Sequence, residues 1–167
     1  MGFSNTSSLA RIRHYEEAHR YFTQTALPGK PGSALRAIWG DNERPLGEGR
    51  QHHYRIEQRY GGDWYDVILY KTTMARFYAP NTAGETRICY NGDSRNTSTC
   101  FMYQVLDVGT YYQRKDTAGI VRSVPIGSQR GFSTDLWFDK DGDLLVKAST
   151  HAPVSYTHLT LPTNREV

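Results

Sequence analysis

The chain predicts an α+β fold: an N-terminal helix, an antiparallel β-meander, a short helix and a C-terminal β-hairpin. Three observations predict it. Apolar residues recur at helical spacing near the N-terminus and again just after residue 100. Between and beyond these stretches, short runs rich in Tyr, Val, Ile and Phe are separated by Gly, Asn and Asp turn signals. Aromatic residues make up 13% of the chain, with 12 tyrosines among them, and such side chains suit half-buried strand faces.

Residues 7–23 read as an amphipathic helix. Leu9, Ile12, Tyr15, His19 and Phe22 form its apolar stripe, and Ser7 or Ser8 is the expected cap. Pro28, Gly29, Pro31 and Gly32 then break the helix. Leu35 to Trp39 is expected to make one helical turn, and residues 40–51 a polar loop.

Strands begin at His52. Tyr54, Ile56 and Tyr60 lie on or near one face of the first, and Gly61-Gly62-Asp63 turns the chain. Trp64 to Lys71 is the most apolar strand, with Asp66 as its one charge before Lys71, and is expected to be central and covered on both faces. Met74 to Ala79 and Thr86 to Tyr90 follow, joined by a turn at residues 81–84. A short helix capped by Thr97 or Ser98 carries Phe101, Met102, Val105 and Leu106 on one face. Gly109 is the expected left-handed residue past its end. Pro125 marks Ile120 to Ile126 as an edge or a strand end. Phe132 to Phe138 alternates strictly, Asp139 to Gly142 is a turn, and Asp143 to Ser149 returns as the hairpin partner.

Composition excludes several function classes. Hydrophobic residues are 38% and charged residues 22%, which fits a folded rather than a disordered chain. No run approaches the roughly 18 apolar residues of a membrane span, and no secretory leader pattern opens the chain. Cys89 and Cys100 fit neither a disulfide framework nor a zinc spacing and read as free thiols. Together these features point to the cytoplasm. No nucleophile elbow, phosphate loop or dinucleotide fingerprint is present, and no cofactor is implied.

The stretch from about residue 54 to 108 resembles a domain of unknown function found in tailed-bacteriophage genomes. The residues that carry the resemblance are Trp64 to Tyr70, then Thr72 or Thr73, Arg76, Tyr90-Asn91-Gly92, and Arg95 to Ser98 leading into Phe101, Met102 and Leu106. Ser94 and the Cys100-Phe101 pair depart from the family pattern. The resemblance implies a phage origin and the cytoplasm of a host cell. It implies no activity and carries over no catalytic residue. Separately, the run 154–167, VSYTHLTLPTNREV, is similar to the translated read-through of a sequencing-library transposon adapter. That similarity implies a metagenomic reading frame in which residues 1–153 are a single domain cut short at its C-terminus and 154–167 are artefactual.

The candidate binding residues are Arg55, Tyr70, Arg76, Tyr78, Arg87 and Arg95. Bases stacked on Tyr and phosphates met by Arg are the two contacts of a single-strand binder. Arg76 and Tyr78 are two apart and share a strand face. The net charge of +3 is low for such a protein, and Glu57, Asp66, Glu85 and Asp93 interleave with the arginines. The reading is therefore a phage-type accessory or interaction protein with weak single-stranded nucleic-acid binding. The alternatives are a protein-binding modulator of a host enzyme, and a metal-dependent hydrolase or nuclease using His52 or His53 with Asp66 or Asp93. Asp139, Asp141 and Asp143 lack the Gly and Glu positions of a calcium loop, and a plain turn accounts for them.

Overall fold

The computed structural model describes residues 9–47, 52–91, 101–108, 111–115, 118–126 and 132–145. Their architecture is α+β. A seven-stranded antiparallel sheet has the order β1-β2-β3-β4-β5-β8-β9, and β6 and β7 form a separate two-stranded ribbon. The strands are β1 Glu43–Pro45, β2 Tyr54–Arg59, β3 Trp64–Leu69, β4 Thr72–Tyr78 and β5 Thr86–Asn91, then β6 Tyr111–Lys115, β7 Val121–Pro125, β8 Phe132–Phe138 and β9 Leu144–Leu145. The large sheet is a simple meander with one insertion. The helical residues 101–104 and the ribbon leave after β5, and the chain returns as β8 directly beside it.

Helix α1 spans Tyr15–Gln24, eight residues shorter at its start than the apolar spacing predicts. The reason is tertiary. Ala10 N–H donates to the Leu46 carbonyl at 2.6 Å and Ile12 N–H to the Val105 carbonyl at 2.8 Å, which holds this stretch off the helix. Ile12 still enters the core, 1% exposed. His14 therefore takes the cap, accepting from Glu17 N–H, with Glu16 and Glu17 in the first turn where the helix dipole favours negative charge. The Glu17 carboxylate in turn accepts Arg13 N–H at 2.8 Å. Helix α2, Ala34–Ile38, is the expected single turn, capped by Ser33. Its own residues stay out of the core, and Trp39 just beyond it is buried.

Strand β1 falls where a loop is expected. Glu-Arg-Pro has no alternation to read, and Pro45 is tolerated because β1 is the sheet edge. Strand β6 likewise falls outside the expected elements; it pairs with β7, and Pro125 sits opposite Tyr111 at the end of that ribbon. Strand β3 is inside the sheet, as its apolar sequence predicts, and five of its six residues are buried. A bulge between Val67 and Ile68 leaves Met74 as the extra residue on β4, so Met74 and Ala75 are both buried and the alternation slips there. Strand β8 spans the expected range. Its pairing with β9 covers Trp137↔Leu145 and Phe138↔Leu144, and the rest of the expected return strand lies outside the described residues.

One face of the sheet is the core face. Ile56, Tyr65, Val67, Phe77, Ile88, Tyr90 and Leu136 pack there against Ala18 and Phe22 of α1 and against Phe101, Met102, Val105 and Leu106. The four apolar residues after position 100 are all at most 4% exposed, so the short amphipathic helix read from the sequence is a plug in the core. Its cap positions and Gly109 lie outside the described residues. Asp107 takes the left-handed conformation, at φ 59°, and Val108 N–H returns to the Met102 carbonyl. Aspartate tolerates that conformation better than most residues. No helix of the described residues is long and apolar enough to cross a membrane.

Candidate functional site

The opposite face of the sheet carries the chemistry. Alternation on β2 puts Arg55, Glu57 and Arg59 on it, and the register carries the row onward: Glu43↔Glu57, Glu57↔Asp66, Asp66↔Arg76, Arg76↔Cys89, Cys89↔Asp135. Three carboxylates thus stand side by side on β1, β2 and β3. Like charges directly opposite repel, so such a row forms only if cations reach into it. Arginines supply them. Arg55 Nε lies 3.0 Å from Glu57 and 3.8 Å from Glu43, Arg59 bridges to Glu57 at 2.6 Å and approaches Asp66 at 3.8 Å, and Arg76 closes on Asp66.

Two of these pairs are bidentate forks. Arg76 donates from Nε to Asp66 Oδ1 at 2.7 Å and from Nη2 to Oδ2 at 3.1 Å. Arg87 donates in the same way to Asp135, at 2.9 and 2.8 Å. Parallel N–H···O bonds of this kind combine strength with a fixed geometry. Burial alone would depress the Arg76 guanidinium, but its hydrogen bonds to Asp66 and Tyr78 outweigh this and raise its pKa. The Asp135 hydrogen bond raises that of Arg87. Cys89, buried between these pairs, is a free thiol with Sγ 3.6 Å from Asp135. Burial, with the Asp135 charge next, pushes its pKa up to about 12, so it is no nucleophile at neutral pH.

Aromatic rings interleave with the guanidiniums. Trp64 pairs with Tyr78 across β3 and β4, and Arg87 with Trp137 across β5 and β8. Arg76 Cζ lies 4.8 Å from the Trp64 ring, and Arg87 Cζ lies 4.8 Å from Tyr78 and 5.5 Å from Trp137. Exposed Tyr60 stands beside Trp64 at 4.9 Å. The face is therefore an ordered array of Arg, Trp and Tyr whose positions are set by the carboxylates between them.

Of the residues chosen from the sequence, Arg55, Arg76, Tyr78 and Arg87 lie on this face. Arg76, Tyr78 and Arg87 are clustered. Arg55 is toward the other end of the strands, where its Nη1 donates to the Tyr70 carbonyl at 2.7 Å. Tyr70 is at the β3–β4 turn, its ring 4.6 Å from His53. Arg95 lies outside the described residues. Sequence reading missed Glu43, Arg59, Trp64, Asp135 and Trp137. The period-two pattern of β8 carried the signal for Asp135 and Trp137, which share a face, but their pairing with β5 spans nearly fifty residues of chain.

The other candidates take simpler roles. His52 Nε2 is 2.7 Å from Glu43 Oε1 and its ring is edge-on to Trp39, while the His53 ring lies tilted against Tyr70. Both oxygens of Asp66 are held by Arg76. Among the described residues, no group of three His, Cys, Asp or Glu side chains is placed to hold a metal ion. The Asp139 carboxylate accepts the N–H groups of Asp141 and Asp143, which makes the turn. A cleft of about 640 Å3 opens between the start of α1 and the β4–β5 and β8–β9 turns, with Tyr15, Tyr90 and Phe138 among its walls. Compared with protein-family models, with curated proteins and with solved structures, the chain has no match.

Proposed function

We propose that this chain is a phage-type accessory protein that binds a partner protein through the outer face of its sheet. One observation carries the reading: Arg55, Arg59, Arg76 and Arg87 are each held against a carboxylate of the same face, with Trp64, Tyr78 and Trp137 packed among them. Trp, Tyr and Arg dominate the energetics of protein interfaces. Side chains fixed before binding lose little rotamer entropy when a partner arrives. The resemblance of residues 54–108 to a phage domain supports the origin.

A second reading, weak binding of single-stranded nucleic acid, is favoured by the shared face of Arg55, Arg76, Tyr78 and Arg87. Its difficulty is charge. Four guanidiniums are matched by Glu43, Glu57, Asp66 and Asp135, and counterion release from a polyanion needs uncompensated positive charge. The two readings separate in one experiment. The full chain is immobilised and challenged with bacterial lysate and, separately, with an oligothymidylate, at about 50 and about 200 mM salt. The protein reading expects one protein kept at the higher salt and lost when Arg59→Ala and Tyr60→Ala are combined. Recovery of the same proteins by the double variant overturns it. Oligonucleotide binding that collapses over this salt range favours the second reading.

A further inference from the structure

We infer that His19 is a proton-sensitive latch for α1. While neutral it accepts the Tyr65 hydroxyl hydrogen at Nδ1 and holds the helix on the sheet. On taking up a proton at that nitrogen it releases the hydroxyl and loosens the helix.

The hydrogen bonds of one phenol carry the inference. Tyr65 on β3 is wholly buried, and two side chains meet its hydroxyl: Gln58 Nε2 at 2.9 Å and His19 Nδ1 at 2.7 Å. An amide nitrogen can only donate, so the Tyr65 oxygen accepts from Gln58. The hydroxyl has one hydrogen of its own, and Nδ1 is the acceptor left for it. A neutral imidazole that accepts at Nδ1 carries its hydrogen on Nε2. The next proton therefore enters at Nδ1. Protonated His19 offers Tyr65 a second donor, and the hydroxyl hydrogen loses its partner inside the core, where an unmade hydrogen bond is costly.

Placement makes this a property of the whole helix. His19 is exposed, while Tyr65 lies in the core beneath α1 beside Ala18 and Phe22. Two other phenols tie the helix down: Tyr15 donates to the Gly62 carbonyl at 2.7 Å and Tyr21 to the Pro45 carbonyl. Burial raises the pKa of Tyr15, Tyr21 and Tyr65, so all three keep their hydrogens at neutral pH and below. Histidine is the side chain that changes charge between about pH 5 and 8. Around the His19 ring, Tyr15 stacks at 5.9 Å, and Glu16 and Arg20 are its charged neighbours on α1. From the sheet, β2 presents the uncharged Gln58, β3 presents Tyr65, and β4 places Phe77 opposite Tyr65. Asp63, just before β3, acts on Tyr15, and Arg44 of β1 lies over Phe22, which packs on Tyr65. Among the described residues the histidines in ion pairs are His14 and His52, so no carboxylate pairs with a charged His19 to offset the lost hydroxyl contact.

The test uses the full chain as wild type, His19→Asn and Tyr65→Phe. The asparagine oxygen stands where Nδ1 stands and accepts at any pH in the range, so His19→Asn keeps the hydrogen bond and removes the titration. Two readouts are taken at about pH 8 and about pH 5. Nuclear magnetic resonance correlations of the histidine ring nitrogens report the tautomer, with His19 identified by its loss in His19→Asn. Amide hydrogen exchange in α1, corrected for its intrinsic rate, reports opening of the helix. At the higher pH His19 should be the Nε2–H tautomer. On acidification the opening of α1 should increase at least about fivefold more in wild type than in His19→Asn. Tyr65→Phe, with no hydroxyl to release, should respond to acid as His19→Asn does. His14 caps the same helix and titrates in all three proteins, so the difference between them belongs to His19. An Nδ1–H tautomer at the higher pH overturns the inference, because Tyr65 would then accept from His19. An equal response to acid in wild type and His19→Asn overturns it as well. Both decisive readings come from proteins that keep Tyr65, so they stand even if Tyr65→Phe does not fold.

Discussion

Tyr70 shows how a single residue here departs from its local preference. It is the first residue of the two-residue turn between β3 and β4, where Leu69 pairs with Thr72, and its φ is 58°. Left-handed backbone is costly for a bulky side chain, and turns of this kind favour Gly or Asn. Neighbours hold it there. Tyr70 N–H donates to the His53 carbonyl at 2.7 Å, its own carbonyl accepts Arg55, and its ring packs on His53. Replacing Tyr70→Asn should therefore leave the urea midpoint unchanged or raised. Tyr70→Val, β-branched at the same φ, should lower stability by about 1–3 kcal/mol. Equal loss in both variants would mean that the ring contact, not the backbone, sets the energy. The strain is invisible in the sequence, where Leu-Tyr-Lys-Thr carries no turn signal, and it arises only because β3 and β4 must meet at that point.

Element by element, the sheet depends on pairs that the strands bring together. Asp66 on β3 is 1% exposed and is matched by Arg76 on β4. Removing one partner of a buried pair strands the other, so Asp66→Ala should cost about 3–5 kcal/mol in chemical denaturation. The pair between Arg13 and Glu17 at the start of α1 has a half-exposed arginine, and Arg13→Ala should cost no more than about 1 kcal/mol. Acid should reveal the edge of the sheet. Burial would raise the Glu43 carboxyl, but Gly40 N–H, His52 and Arg55 hold it below the ordinary carboxylate range. A depressed folded pKa gives stability that is present above the unfolded value, about 4.3, and lost as pH falls through the folded one. Glu43→Gln should thus cost about 1 kcal/mol at neutral pH and nothing once the wild-type carboxyl is protonated. A difference that stays constant from neutral pH down to about pH 2 would show that the ion pair contributes nothing. The elements themselves were legible to different degrees. Strand β3 has a continuous apolar run, β8 a strict alternation, and turn signals precede β3, separate β4 from β5 and follow β8. Strand β1 and the true start of α1 have neither, because contacts with β2, Leu46 and Val105 decide them.

For the molecule as a whole, the insertion between β5 and β8 is structural as well as a crossover. Phe101 and Val105 are fully buried against the core face, next to a sheet that α1 covers over β2, β3 and β4. Phe101→Ala should therefore cost about 3–5 kcal/mol and unfold the chain as one unit. Separate transitions, or a loss near that of a surface change, would show that the insertion folds independently of the sheet. The two faces divide the labour: one buries the apolar side chains of α1 and the insertion, and the other holds charge in balance. That balance explains why a net charge of +3 coexists with so ordered an arginine array.

The sequence by itself determined the class of the fold, the strand runs from Tyr54 to Asn91, the apolar helix after residue 100 and the turn at Asp139. Each of these follows from local periodicity and turn chemistry, which act over a few residues. It also placed Arg76, Tyr78 and Arg87 among the candidates and noted the acids interleaved with them. Only the tertiary structure decided what those arginines do. Asp66 meets Arg76 ten residues away, and Asp135 meets Arg87 forty-eight residues away. Register between strands is set by burial of the opposite face and by turn geometry, so which charge meets which is a property of the folded sheet and not of any stretch of the chain.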